Sequence, residues 1–212
     1  MGKSSATTQD YKLDDLVSDA QFLIEQLKIE KMGVIGISMG GFVAQLFAAS
    51  FPDKVQALAL LCTTSIGADF IHPVALTEEG LRQFATLDPK LAAEYSTIGT
   101  THPNLKLNNP KRFEKIVEQR IKNRTNVEEQ IRQNKAAIDF LNSLFEIKKV
   151  SCPTLAMSGE NDRFVNPKNI DAFKKNISKC VTVVIPESDH FFFMEKPELI
   201  ALELKKFFEE NV

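Results

Sequence analysis

Three side chains in this sequence have the types needed for covalent acyl chemistry: a serine between glycines, an acid in one turn and a histidine in another. The stretch Gly33-Val34-Ile35-Gly36-Ile37-Ser38-Met39-Gly40-Gly41 begins as an apolar run of strand character and turns helical after Ser38. A serine at a sharp strand-to-helix turn exposes its hydroxyl through a strained backbone conformation. Small residues two positions before and two after let the elements close around it, and Gly36 and Gly40 stand at those positions. The hydroxyl is a poor nucleophile until a histidine removes its proton, and that histidine needs a carboxylate to hold its tautomer and stabilise the imidazolium. His190, in Ser188-Asp189-His190-Phe191, and Asp162, in Ser158-Gly159-Glu160-Asn161-Asp162, are the expected partners, with Glu160 the substitute acid.

Such a set works only if the fold brings distant residues together. Leu13, Leu16, Val17, Ala20, Leu23, Ile24 and Leu27 recur at helical spacing, and Asp14 and Asp15 complement the dipole at that helix's start. Apolar runs at 34–37, 55–62, 154–157 and 181–185 predict strands, and 40–51, 167–176 and 197–208 predict helices, the first stopped by Pro52 and the last begun by Pro197. Continuous apolar strands alternating with helices imply a parallel sheet covered on both faces. The carboxyl ends of parallel strands share one edge, so Ser38, Asp162 and His190 should converge there. Between Ile66 and Ile147 the alternation stops, and helices over 77–98, 110–123 and 126–145 are expected in an insertion.

Composition narrows the class. With 212 residues, 43% of them hydrophobic, and a net charge of -2, the chain reads as one globular domain with an inserted subdomain. No apolar run reaches transmembrane length and the first residues are polar, so a cytoplasmic location without membrane contact is expected. Residues 106–135 hold nine Lys or Arg against four Glu, which reads first as a solvated helical face and second as a surface for an anionic partner or substrate. No aromatic interleaving accompanies it, so nucleic acid is not expected. Cys62, Cys152 and Cys180 are too few and too widely spaced for a disulfide framework or a zinc knuckle, and read as buried thiols. His72 and His102 each precede proline and read as turn residues; Phe191-Phe192-Phe193-Met194 reads as core, its first member as a pocket wall.

These motifs together resemble the α/β-hydrolase fold superfamily, in its branch with a helical cap after the sixth strand. Ile35-Gly36-Ile37-Ser38-Met39-Gly40-Gly41 resembles the nucleophile elbow of the enol-lactonase, cofactor-free haloperoxidase and esterase groups. Gly159-Glu160-Asn161-Asp162-Arg163-Phe164-Val165 resembles the acid loop, and Asp189-His190-Phe191 with Glu195-Lys196-Pro197 resembles the histidine loop and final helix. The resemblance implies Ser38 as nucleophile, His190 as base, Asp162 as orienting acid and the Met39 backbone N–H as an oxyanion donor. It implies an acyl-enzyme route to ester, lactone or related acyl cleavage, with a small-molecule acyl substrate and no metal or organic cofactor. The implied organisation is core over 1–65, helical cap over 66–147 and core over 148–212. A catalytically weak binding scaffold is the alternative.

The chain also departs from the family pattern. Asp189 stands where the family usually has glycine before the histidine. Its strands match only the fifth to eighth of the family's eight, since Gly2-Lys3-Ser4-Ser5 resembles the loop after the fourth, and there is no His-Gly pair of the kind that supplies the second oxyanion donor. An N-terminally truncated sheet of this kind would leave Val34 to Ile37 as an exposed apolar edge, prone to self-association, with reduced activity.

Overall fold

The computed structural model describes Ser5 and residues 7–212, so the Gly2 to Ser4 part of the loop resemblance lies outside the described residues. The elements run α1 (Leu13–Gln26), β1 (Met32–Ile37), α2 (Met39–Ser50), β2 (Val55–Leu61), α3 (Glu78–Ala85), α4 (Pro89–Thr100), α5 (Leu105–Asn108), α6 (Pro110–Lys122) and α7 (Val127–Leu141). They continue with β3 (Thr154–Gly159), α8 (Asn169–Asn176), β4 (Cys180–Ile185), α9 (Phe192–Glu195) and α10 (Pro197–Asn211). The four strands form one sheet in the order β1-β2-β3-β4, and every neighbouring pair is parallel.

Side-chain alternation on β2 explains why its sequence is apolar from Ala57 to Leu61, with only the partly exposed Gln56 near its start polar. Leu58 and Leu60 join a core with α1, α2 and α8, while Ala57, Ala59 and Leu61 join a second core with α10 and Phe192. Both faces are covered from Ala57 onward, so that stretch is apolar on each side. Each buried leucine contributes about 1.5–3 kcal/mol relative to exposure. The expected α/β class therefore holds: a parallel sheet with helices on both faces. β1 lies at one edge, where Ile35 is 48% and Ile37 37% exposed.

The middle of the chain differs in detail from the periodicity. The helix expected over 77–98 is two helices, α3 and α4, broken before Pro89, where the Asp88 carboxylate caps Lys90 and Leu91 N–H at 3.0 and 3.1 Å. A proline removes one helical N–H and an aspartate offers a competing acceptor, so the pair starts a new helix. The helix expected to reach 145 ends at Leu141. α7 also docks on the sheet layer, since Phe140 stacks on Phe42 of α2 with ring centroids 4.8 Å apart. Among the described residues no helix is long and apolar enough to cross a membrane.

Candidate active site

Ser38 sits between β1 and α2 with φ 52° and ψ -121°, a conformation outside the regions ordinary for a side-chain-bearing residue. Its N–H is still paired to Leu61 O at 2.9 Å, and its own carbonyl accepts Gly41 N–H at 2.8 Å. The turn is thus held on one side by the neighbouring strand β2 and on the other by the helix that it opens. Met39 opens α2, where its N–H has no intrahelical acceptor and points with the positive end of the helix dipole.

Two of the three neighbouring glycines are required by space. A Cβ on Gly36 would lie 2.6 Å from Ala44 Cβ and 2.7 Å from Gly40 O. Gly40 itself does not fit the expectation: a Cβ there meets nothing within 4 Å, because that position faces open space. The crowded helix position is Gly41, whose Cβ would lie 2.5 Å from Thr63 Oγ1.

Asp162 and His190 lie in the loops after β3 and β4, and both are buried. His190 Nε2 is 3.0 Å from Ser38 Oγ. Its Nδ1 is 3.0 and 3.2 Å from the two Asp162 carboxylate oxygens. An ionised carboxylate only accepts, so Nδ1 carries the proton and Nε2 is free to accept from the serine. Asp162 is fixed in turn by the N–H groups of Phe164 and Val165, at 2.9 and 2.8 Å on Oδ1. Glu160 is exposed and accepts Glu187 N–H at 2.9 Å, away from the histidine. The loops can approach this closely because residue 159 is glycine: a Cβ there would lie 2.4 Å from Asp189 O.

A buried polar network, not legible in the sequence, holds the histidine loop. Asp189 is fully buried; its Oδ1 accepts the backbone N–H of His190 at 2.7 Å and of Arg163 at 3.0 Å. Glu195 accepts the N–H of Asp189 and of His102, each at 2.9 Å, and burial pushes its carboxyl above the ordinary range. His102 is otherwise a turn residue, as expected, with Nδ1 accepting Asn104 N–H at 3.3 Å. The three cysteines are free; burial pushes the Cys62 thiol far up and that of Cys180 to about 11, so neither is a thiolate at neutral pH.

A cleft of about 1400 Å³ opens beside His190, walled by helices of the 66–147 segment and by Phe164, Phe191 and Phe193. Ser38 is half-buried and is not part of its wall. Of the Phe191 to Met194 run, only Phe192 enters the core at 0% exposure, whereas Phe191 lies against the histidine with ring centroids 6.3 Å apart. Most of the basic 106–135 segment faces outward, as at exposed Lys111, Lys115 and Lys122. Arg120 does not: it turns into the cleft wall.

Comparison with known proteins identifies the family and the fold. A profile of the family described as alpha/beta hydrolase fold matches residues 1–197. Mouse monoacylglycerol lipase ABHD6 is 27% identical over 94% of this chain, and the chain spans 62% of that relative's length. A thermophilic esterase from Thermogutta terrifontis superposes with a TM-score of 0.81 at 24% identity, covering 99% of this chain and 76% of the esterase. The enol-lactonase from Burkholderia xenovorans LB400 gives 0.81 at 21% identity, covering 98% and 76%. At these identities the superpositions speak to fold alone. Sequence match, strand order and the strained serine between β1 and α2 together make the chain a member of the α/β-hydrolase fold family.

Proposed function

We propose that this chain is a serine hydrolase that cleaves an ester, lactone or related acyl compound through an acyl-enzyme. The observation that carries the reading is the continuous Ser38–His190–Asp162 contact, at 3.0 Å on each side of the imidazole. Ser38 Oγ attacks the substrate carbonyl as His190 Nε2 takes its proton. The Asp162 carboxylate stays ionised and holds the imidazolium that forms. Negative charge on the carbonyl oxygen is met by the Met39 N–H and the N-terminus of α2. Collapse expels the alcohol, protonated by His190. Water then attacks the acyl-enzyme with His190 as base, releasing the acid and the free serine.

The helices from 66 to 147 are assigned the role of a lid that sets substrate choice, since they wall the cleft beside His190. A fluorophosphonate probe tests the core of the reading. Ser38 is expected to be the labelled residue by peptide mass spectrometry; labelling that persists in Ser38→Ala removes it from that role.

A further inference from the structure

The cleft wall beside His190 contains two arginines, Arg120 and Arg124, and no aspartate or glutamate. The chain has six arginines. Among the described residues the other four each pair with a carboxylate: Arg82 with Glu78 and Glu128, Arg112 with Glu198, Arg132 with Glu129 and Arg163 with Asp189. The two without such a partner are the two in the cleft.

Arg124 is exposed and spends a guanidinium N–H on Ala85 O at 2.9 Å. Arg120 is held more closely. Its Nη2 donates to Thr100 Oγ1 at 2.6 Å, and its guanidinium carbon lies 4.0 Å from the centre of the Phe191 ring. Thr100 is anchored in turn, donating to Ser96 O at 2.7 Å and accepting Phe191 N–H on its carbonyl at 2.8 Å. The guanidinium is therefore fixed on a ring that also neighbours the Phe193 ring, at 5.0 Å between centroids, and the His190 imidazole, at 6.3 Å. Its Nε–H is buried without a partner. Burial without a counter-charge pushes this group down to about 10, which leaves it protonated at neutral pH. A guanidinium has five donors in a planar fork suited to a carboxylate, and one neutral hydroxyl leaves that fork largely unused.

We propose that Arg120 receives a carboxylate carried by the substrate, so that the preferred substrates of this cleft are acyl compounds that also bear a free carboxylate. A carboxylate fits a single planar guanidinium, and the absence of acidic residues from the wall removes the competing partner and the repulsion it would exert. This rests on the serine-hydrolase reading for the reacting bond but not for recognition of the anion.

The test compares two p-nitrophenyl esters of equal chain length, the hexanoate and the mono-adipate, in the wild type, Arg120→Gln and Arg120→Lys. The ratio of kcat/KM for the adipate over the hexanoate is expected to exceed one in the wild type. It should fall about 10- to 100-fold in Arg120→Gln, mainly through KM, the range for loss of a charge-assisted pair. Arg120→Lys, which keeps the charge, should recover part of it. A ratio that is the same in wild type and Arg120→Gln, or a wild type that prefers the hexanoate, overturns the proposal. Calorimetric binding of free adipate needs no turnover: binding weakened at least tenfold in Arg120→Gln supports the role, and no binding to wild type or equal binding to both overturns it. A wild type that hydrolyses neither ester and takes no fluorophosphonate label counts against Ser38 chemistry, and adipate binding then judges Arg120 alone. Should Arg120→Gln fail to fold, Arg120→Lys against wild type decides by the same two readouts.

Discussion

The Asp189 carboxylate and the Arg163 guanidinium are joined across the acid and histidine loops, with Asp189 fully buried and the Arg163 side chain 48% exposed. Arg163 also donates to Ile98 O at 2.8 Å and to Thr101 O at 2.9 Å, at the end of α4. Arg163 thus ties the His190 loop, the loop bearing Asp162 and the end of α4 to each other. Where the family resemblance implies glycine, this chain places a charge, and the charge has a partner.

Asp189→Ala removes the acceptor for His190 N–H and leaves the Arg163 guanidinium uncompensated. Breaking a fully buried pair costs about 3–5 kcal/mol, and the half-exposed arginine lowers that to about 2–3. Urea unfolding should show this loss, and kcat on a short ester should fall by up to about 10² because the imidazole is no longer held at its position. Unchanged stability would mean that the pair holds nothing together.

Asp162→Asn and His190→Ala are each expected to lower kcat by on the order of 10³ or more. Glu160→Gln should leave it near the wild-type value, because Glu160 faces Glu187 and solvent. Steady-state rates on p-nitrophenyl butyrate separate the two acids; loss in Glu160→Gln with retention in Asp162→Asn would move the role.

Three alanine substitutions test the geometry around Ser38. Gly36→Ala and Gly159→Ala force Cβ atoms to within 2.6 Å of Ala44 Cβ and 2.4 Å of Asp189 O, and should cost about 1–3 kcal/mol. Gly40→Ala, whose Cβ would meet nothing within 4 Å, should be neutral or stabilising by up to about 1 kcal/mol. Thermal melts of the three variants check the order, and equal losses at 36 and 40 would contradict it.

Glu195 provides a pH dependence. Burial raises its folded-state pKa above the ordinary 4.5, so the native state keeps this proton to higher pH than the unfolded chain does. Unfolding then releases a proton, and the contribution of Glu195 to stability declines as pH rises from about 4.5 through the folded value. Glu195→Gln cannot titrate. The stability of wild type relative to this variant should therefore fall between pH 4 and pH 7 in urea unfolding; a difference that is flat or grows with pH would reverse the assignment.

Much of this site was legible from local pattern. The apolar run into Ser38, the glycines beside it and the acid and histidine turns after β3 and β4 each reflect a short-range requirement: a strand buried on two faces, a strained turn, a loop at a strand's carboxyl end. Strand-helix alternation then implied that the three residues meet at one edge. The break at Pro89 was signalled too, by Asp88-Pro89, although the surrounding helical periodicity ran through it. What the tertiary structure alone decided is which charges find partners. Nothing around Asp189 or Arg163 says that they pair, and Arg120 is one of nine basic residues in a segment that reads as a solvated face. Gly41 was likewise hidden behind Gly40, because crowding at residue 41 comes from Thr63 on the neighbouring strand's loop. Periodicity and turn chemistry act between residues a few positions apart, whereas burial of a charge and contact of a Cβ depend on which elements pack together, and that is settled only when the chain closes on itself.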